Sequence, residues 1–145
     1  MNHFKSKFND NPEKRKMQAS RVLEILKERF GDDLYGNFVV VGDFNDVPEA
    51  ERLKPLLSAN LENVVQARIT DPEERWTYEH NGKTSQIDYL LLSRKISENS
   101  SKEGKEGMPF IERRGLGSYV KSYKGPRFEG VGLKAQKHQI IVRLS

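Results

Sequence analysis

Phe38-Val39-Val40-Val41-Gly42-Asp43-Phe44-Asn45 is the stretch whose reading decides the fold. Four consecutive apolar residues, three of them β-branched, read as a buried strand running from Asn37 to Val41. Gly-Asp-x-Asn then delivers a carboxylate and an amide together to one end of a sheet. The glycine is expected to let the backbone turn sharply. Asp43 can bind a divalent cation or hold a reactive water, and Asn45 can donate to a phosphoryl oxygen. Read alone, the tetrapeptide equally describes an Asx turn that closes a strand.

Upstream of this strand, Asn11-Pro12 reads as an N-cap followed by proline at the first helical position. Ala19, Leu23, Leu26 and Phe30 repeat at helical spacing and Gly31 supplies a stop, which predicts an amphipathic helix over about 12–30. Lys14-Arg15-Lys16 in its first turn oppose the helix dipole, and are expected either to contact an anion or to form a solvated face.

Downstream, a short helix carrying Leu53, Leu56 and Leu57 is expected after Pro48, and Leu61 to Ala67 reads as another strand. Arg75 to His80 and Lys83 to Leu92 flank Asn81-Gly82, the strongest short hairpin signal. Leu90-Leu91-Leu92 suggests a central strand buried on both faces. Residues 93–107 have the composition of a mobile loop. Phe110 to Arg114 and Gln139 to Leu144 read as strands joined by a Gly-rich surface loop. Strands mixed with helices, the later ones antiparallel, predict an α/β fold with an α+β character and a mixed sheet, in one domain over 1–145.

Bulk properties narrow the function classes. With no cysteine among 145 residues, disulfide scaffolds and thiolate metal sites are excluded. No apolar run is long enough to span a bilayer and no h-region suggests secretion, so no membrane partner is expected and a cytoplasmic location is the default. The net charge of +4 is unevenly spread. Residues 1–100 hold 15 Lys/Arg against 17 Asp/Glu, whereas residues 101–145 hold 10 against 4. A basic C-terminal third suits a polyanion such as nucleic acid.

Three further segments fall in order around Gly42-Asp43-Phe44-Asn45: Asn2-His3-Phe4-Lys5-Ser6 before it, Arg75-Trp76-Thr77-Tyr78 with Ser85-Gln86-Ile87-Asp88-Tyr89 after it, and Ala135-Gln136-Lys137-His138 near the C-terminus. Together they resemble the endonuclease/exonuclease/phosphatase superfamily, the metal-dependent phosphodiesterases related to deoxyribonuclease I and exonuclease III. The resemblance implies a four-layer α/β sandwich and hydrolysis of phosphodiester bonds, with Mg²⁺ or Mn²⁺ as cofactor and nucleic acid or another phosphodiester as substrate. It implies that Asp43 holds the metal or orients the attacking water. Asn45 and His3 would contact the phosphate. Asp88 would orient His138, and His138 would stabilise a phosphoryl oxygen or pass a proton. Arg75, Trp76 and Tyr78 are expected to pack and support loops, although an aromatic near a nucleic acid could stack on a base, and His80 is expected to be exposed.

The chain departs from the family pattern twice. Gln136-Lys137-His138 stands where the family carries Ser-Asp-His, and Lys137 is expected to weaken cation binding. Asn2-His3 corresponds to the middle of a family domain, so the chain reads as the C-terminal portion of a sandwich that lacks its N-terminal half and its main metal-binding Glu. The expectation is therefore an impaired hydrolase, or alternatively a non-catalytic remnant that binds nucleic acid or protein. A sheet face lined by residues such as Val39, Val41, Leu90 and Leu92 is expected to be uncovered. That would favour self-association or binding of an N-terminal partner fragment.

Overall fold

A computed structural model describes residues 1–100, 107–116, 120–121 and 123–128, with the backbone of 141–144. Its centre is a four-stranded mixed sheet in the order β1-β2-β6-β3, formed by β1 (Asn2–His3), β2 (Val39–Asp43), β6 (Asp88–Ser93) and β3 (Leu61–Asn63). β1 runs parallel to β2, and the other two pairings are antiparallel. Two further antiparallel pairs form separate two-stranded sheets: the hairpin of β4 (Tyr78–His80) with β5 (Lys83–Ser85), and β7 (Pro109–Glu112) with β8 (Ile141–Leu144). The architecture is mixed α/β, as the alternation of signals predicts.

Helix α1 (Pro12–Phe30) matches its expected span. The Asn11 side chain accepts from the Lys14 amide at 2.9 Å, Pro12 occupies the first turn, and Gly31 closes the helix at φ +80° while donating to the Lys27 carbonyl. Ala19 and Leu26 are buried, and Leu23 and Phe30 pack beside them. The helix lies on the sheet face that carries Val40, Tyr89 and Leu91, together with Leu56 of α2 (Lys54–Leu57) and Leu53 just before it. Pro55 sits in the first turn of α2, where its missing N–H costs no helical hydrogen bond.

Alternation puts Val39, Val41, Leu90 and Leu92 on the opposite face, because Val39 pairs with Leu92 and Val41 with Leu90. The expectation of an open face holds for only part of this set. Val39 is 48% exposed and Val41 and Leu90 are half-buried, but Leu92 is fully buried. Glu62, the cross-strand neighbour of Leu92, is clasped by Arg68 of α3 (Val64–Arg68) at 2.8 Å and by Ser97 of α4 (Arg94–Asn99).

Two segments differ from their sequence reading. Leu61–Ala67 is a three-residue strand that passes directly into α3, since the buried pair Val64 and Val65 sits against the fold as a helical turn. Residues 93–107 are not one loop: Ser93 ends β6 and caps α4 by accepting from the Ile96 amide, a local bond that outweighs the polar composition. Residues 101–106 lie outside the described residues. Asn81 (φ +52°) and Gly82 (φ +79°) form the expected hairpin turn, but it joins β4 to β5, and the run to Leu92 breaks at Gln86-Ile87.

A smaller apolar cluster gathers Trp76, Leu116, Val120 and Tyr123. The Arg113 guanidinium lies 4.3 Å over the Trp76 ring and donates to the Trp76 carbonyl. Arg75 donates to the Ile69 carbonyl at 2.9 Å. Arg75 and Trp76 thus pack and brace loops as expected, and His80 is exposed.

Candidate active site

Sheet register builds the site. His3 pairs with Asp43 across β1 and β2, and Asp43 pairs with Asp88 across β2 and β6. Cross-strand partners share a face, so an imidazole and two carboxylates stand in one row at one end of the sheet. His3 Nε2 lies 3.8 Å from Asp43 Oδ2. The row opens into a cleft of about 550 Å³ whose wall also includes Asn45, Thr77, Tyr78 and Lys7.

Gly42 makes the row possible by a different route from the one its sequence suggests. It lies inside β2, and a Cβ there would stand 2.1 Å from the Asn2 carbonyl oxygen. Its role is close approach between β1 and β2; the turn comes later, at Asn45, whose φ is +53°. Asp43 Oδ1 accepts from the Asn45 amide at 2.8 Å, so the Asx turn is present as well as the carboxylate row. One hydrogen of the Asn45 side-chain amide is committed to the Phe4 carbonyl at 3.0 Å. A carboxamide has two, and among the described residues the other has no acceptor.

Both carboxyls are raised above their ordinary value. Burial raises the Asp43 carboxyl above its ordinary value, opposed by the Asn45 amide and by His3. Asp88 goes further, to about 6, chiefly through burial, with the neighbouring Asp43 charge adding to the rise. The Thr77 hydroxyl works against it as a hydrogen-bond partner of the carboxylate. Thr77 also accepts from the Ile87 and Asp88 amides at 3.0 Å, which anchors the start of β6. Asp88 therefore changes charge near neutral pH. No sequence signal marks a role for Thr77; its contacts reveal one.

Beneath the row, Phe4, Phe44 and Tyr89 stack with centroids 4.5 and 4.6 Å apart. Behind them lies an ionic cluster that sequence reading missed. Asp46 is fully buried and accepts from Arg15 Nε at 3.0 Å, Arg52 Nε at 2.6 Å and Lys7 Nζ at 3.1 Å. Burial alone would push its carboxyl up, but Arg52 and Lys7, with the Val47 amide, hold it well below the usual carboxylate range. Arg15 is thus neither an anion contact at the surface nor part of a solvated face. It is buried, because Asp46 and Asp10 compensate its charge. Asp46 follows the Gly-Asp-x-Asn motif directly, and an extra acid beside an apolar stretch was the only signal.

His138 and Lys137 lie outside the described residues, so the expected Asp88–His138 pair does not enter the geometry of the cleft. Among the described residues, no group of three or more His, Asp or Glu side chains is placed to hold a metal ion. Asp43 and Asp88 offer two carboxylates, a donor set that Mg²⁺ would complete with waters and substrate phosphate oxygens.

The sequence profile of the endonuclease/exonuclease/phosphatase family matches residues 6–118. The chain belongs to that family, whose nuclease- and phosphatase-type hydrolases usually use divalent metals. No curated protein and no solved structure matches it.

Proposed function

We propose that this chain is a phosphodiester hydrolase domain with nucleic acid as its substrate, and that its reaction centre is the end of the sheet where Asp43 and Asp88 meet. The observation that carries this reading is the cross-strand pairing of Asp43 and Asp88 in a cleft, with His3 beside them. Asp43, braced by the Asn45 amide, orients the attacking water. Asp88, with a pKa of about 6, accepts a proton at neutral pH. Asn45 and His3 contact the phosphoryl oxygens, and His138 completes the set from the C-terminal segment. In the family's four-layer arrangement, the face that carries Val39 and Val41 belongs against a second sheet, in keeping with the exposure of Val39.

A second reading has its own support. Two carboxylates without a third metal donor among the described residues suit a domain that binds a phosphodiester and turns it over slowly or not at all. Hydrolysis of bis(p-nitrophenyl) phosphate and of a short oligonucleotide, in Mg²⁺ or Mn²⁺ and in EDTA, separates the two. The first reading expects slow, EDTA-sensitive hydrolysis that falls roughly 100-fold or more in Asp43→Asn and Asp88→Asn. Oligonucleotide binding with no hydrolysis at all establishes the second. Hydrolysis indifferent to both substitutions overturns the assignment of the site.

A further inference from the structure

Phe8 is 81% exposed, yet it stands in the wall of the cleft that holds Asp43 and Asp88. A single exposed apolar residue is ordinary on a loop that is free to move. The loop between β1 and α1 is tied down along its length. Arg15 Nη1 donates to the Lys5 carbonyl at 3.3 Å and to Asp10 Oδ1 at 2.5 Å. The Lys5 amide donates to Gln18 Oε1 at 2.9 Å, and Lys5 Nζ donates to the Phe8 carbonyl. Lys7 is held by the buried Asp46 at 3.1 Å. Next to Phe8, Asn9 sits at φ +50°, a left-handed turn conformation that asparagine adopts readily. The buried cluster of Arg15 and Asp46 therefore fixes the loop that carries Phe8 at the cleft.

The chemistry of the wall narrows what Phe8 meets. Most of the neighbouring side chains are polar, including His3, Ser6, Asn45 and Ser85. Tyr78 contributes another ring, parallel to that of His80. Flat ring faces at Phe8 and Tyr78 among hydrogen-bonding groups suit a nucleobase, which has a π face and a polar edge. A hydrocarbon chain would need a contiguous apolar surface. The cleft volume of about 550 Å³ lies within the ~300–1,000 Å³ usual for small-ligand sites.

We propose that Phe8 is a specificity-determining residue that stacks on a nucleobase, so that the cleft selects single-stranded nucleic acid over a bare phosphodiester backbone. The proposal rests on the preceding reading for the position of the phosphate, but stacking is measured without turnover.

The test is equilibrium binding, in EDTA, of the full chain to labelled oligothymidylate and to an abasic oligomer of equal length. The wild type is expected to prefer the oligothymidylate by roughly tenfold, within the range of one base–aromatic stack. Phe8→Ala should lose that preference while binding the abasic oligomer as before. Phe8→Trp should keep it, with tryptophan emission quenched on binding beyond any change at Trp76. Melting curves for each variant confirm folding, which substitution of so exposed a side chain leaves intact. A preference retained in Phe8→Ala, or none in the wild type, overturns the proposal. So does Phe8-dependent binding seen only with anionic phospholipid vesicles. Absent hydrolysis of bis(p-nitrophenyl) phosphate with an intact base preference sinks the hydrolase reading and leaves stacking standing. Hydrolysis without the preference does the reverse.

Discussion

Asp88 and Asp46 lie close in the fold and respond to pH in opposite senses. Asp88 has a folded pKa of about 6 against an ordinary 3.8, so the folded state favours its protonated form. The associated stability is fully present below about pH 4 and is lost as pH rises through about 6. Asp88→Asn removes the ionisation while still accepting from Thr77. Its melting temperature should exceed that of the wild type by a few degrees at pH 8, with the difference vanishing by pH 4; an equal offset at both pH values would refute the assignment. Asp46 is depressed by Arg52 and Lys7, so its contribution is present above its ordinary value and is lost as pH falls through the folded one. Arg15→Met leaves a buried carboxylate with one cation fewer. It should cost about 3–5 kcal/mol in urea unfolding at pH 7 and less in acid, where Asp46 begins to be neutralised. A cost below about 1 kcal/mol would mean that Arg52 and Lys7 suffice.

At the scale of elements, the pairing of β1 with β2 is the most exposed to a single change. An alanine at position 42 would place its Cβ against the Asn2 backbone, which cannot rotate away as a side chain could. Gly42→Ala should cost about 1–3 kcal/mol and displace β1. His3 would then leave Asp43, and any activity that depends on the row should fall with it. Gly82→Ala is the contrasting case. Open space surrounds that position, so only its φ of +79° resists, and the expected cost is about 1–2 kcal/mol with the site unaffected. Urea denaturation of both variants beside an oligonucleotide-binding assay checks the pair. A site equally damaged in both would show that β1 is not held by the close approach at Gly42.

At the scale of the whole molecule, charge and the cleft act together. The net charge of +4 is concentrated in the C-terminal third, while the Asp43–Asp88 row is acidic. On the proposed function, a polyanion would be drawn by the basic residues of that third and not by the row itself. Oligonucleotide binding should weaken roughly tenfold between 50 and 200 mM salt, consistent with about two or three neutralised phosphates on a single strand. A salt-independent affinity would argue that binding is carried by something other than backbone charge.

The sequence by itself determined α1, because an N-cap, a first-turn proline, a helical apolar repeat and a terminal glycine all act locally. It determined β2 and β6 through continuous apolar runs, the turn at Asn81-Gly82, and the family, which rests on short ordered motifs. It placed Asp43, Asn45, Asp88 and His3 in the candidate site, and the structure brings these four to one cleft. Register lies beyond a linear reading: that His3, Asp43 and Asp88 form a row is settled by which residues pair, across 40 positions from His3 to Asp43 and 45 from Asp43 to Asp88. Burial of a charge lies beyond it too. Arg15 sits in a run of three basic residues and reads as surface, until Asp46, 31 positions away, folds against it. The same distant contact decides where Phe8 stands, since a loop's own sequence does not say what will hold it.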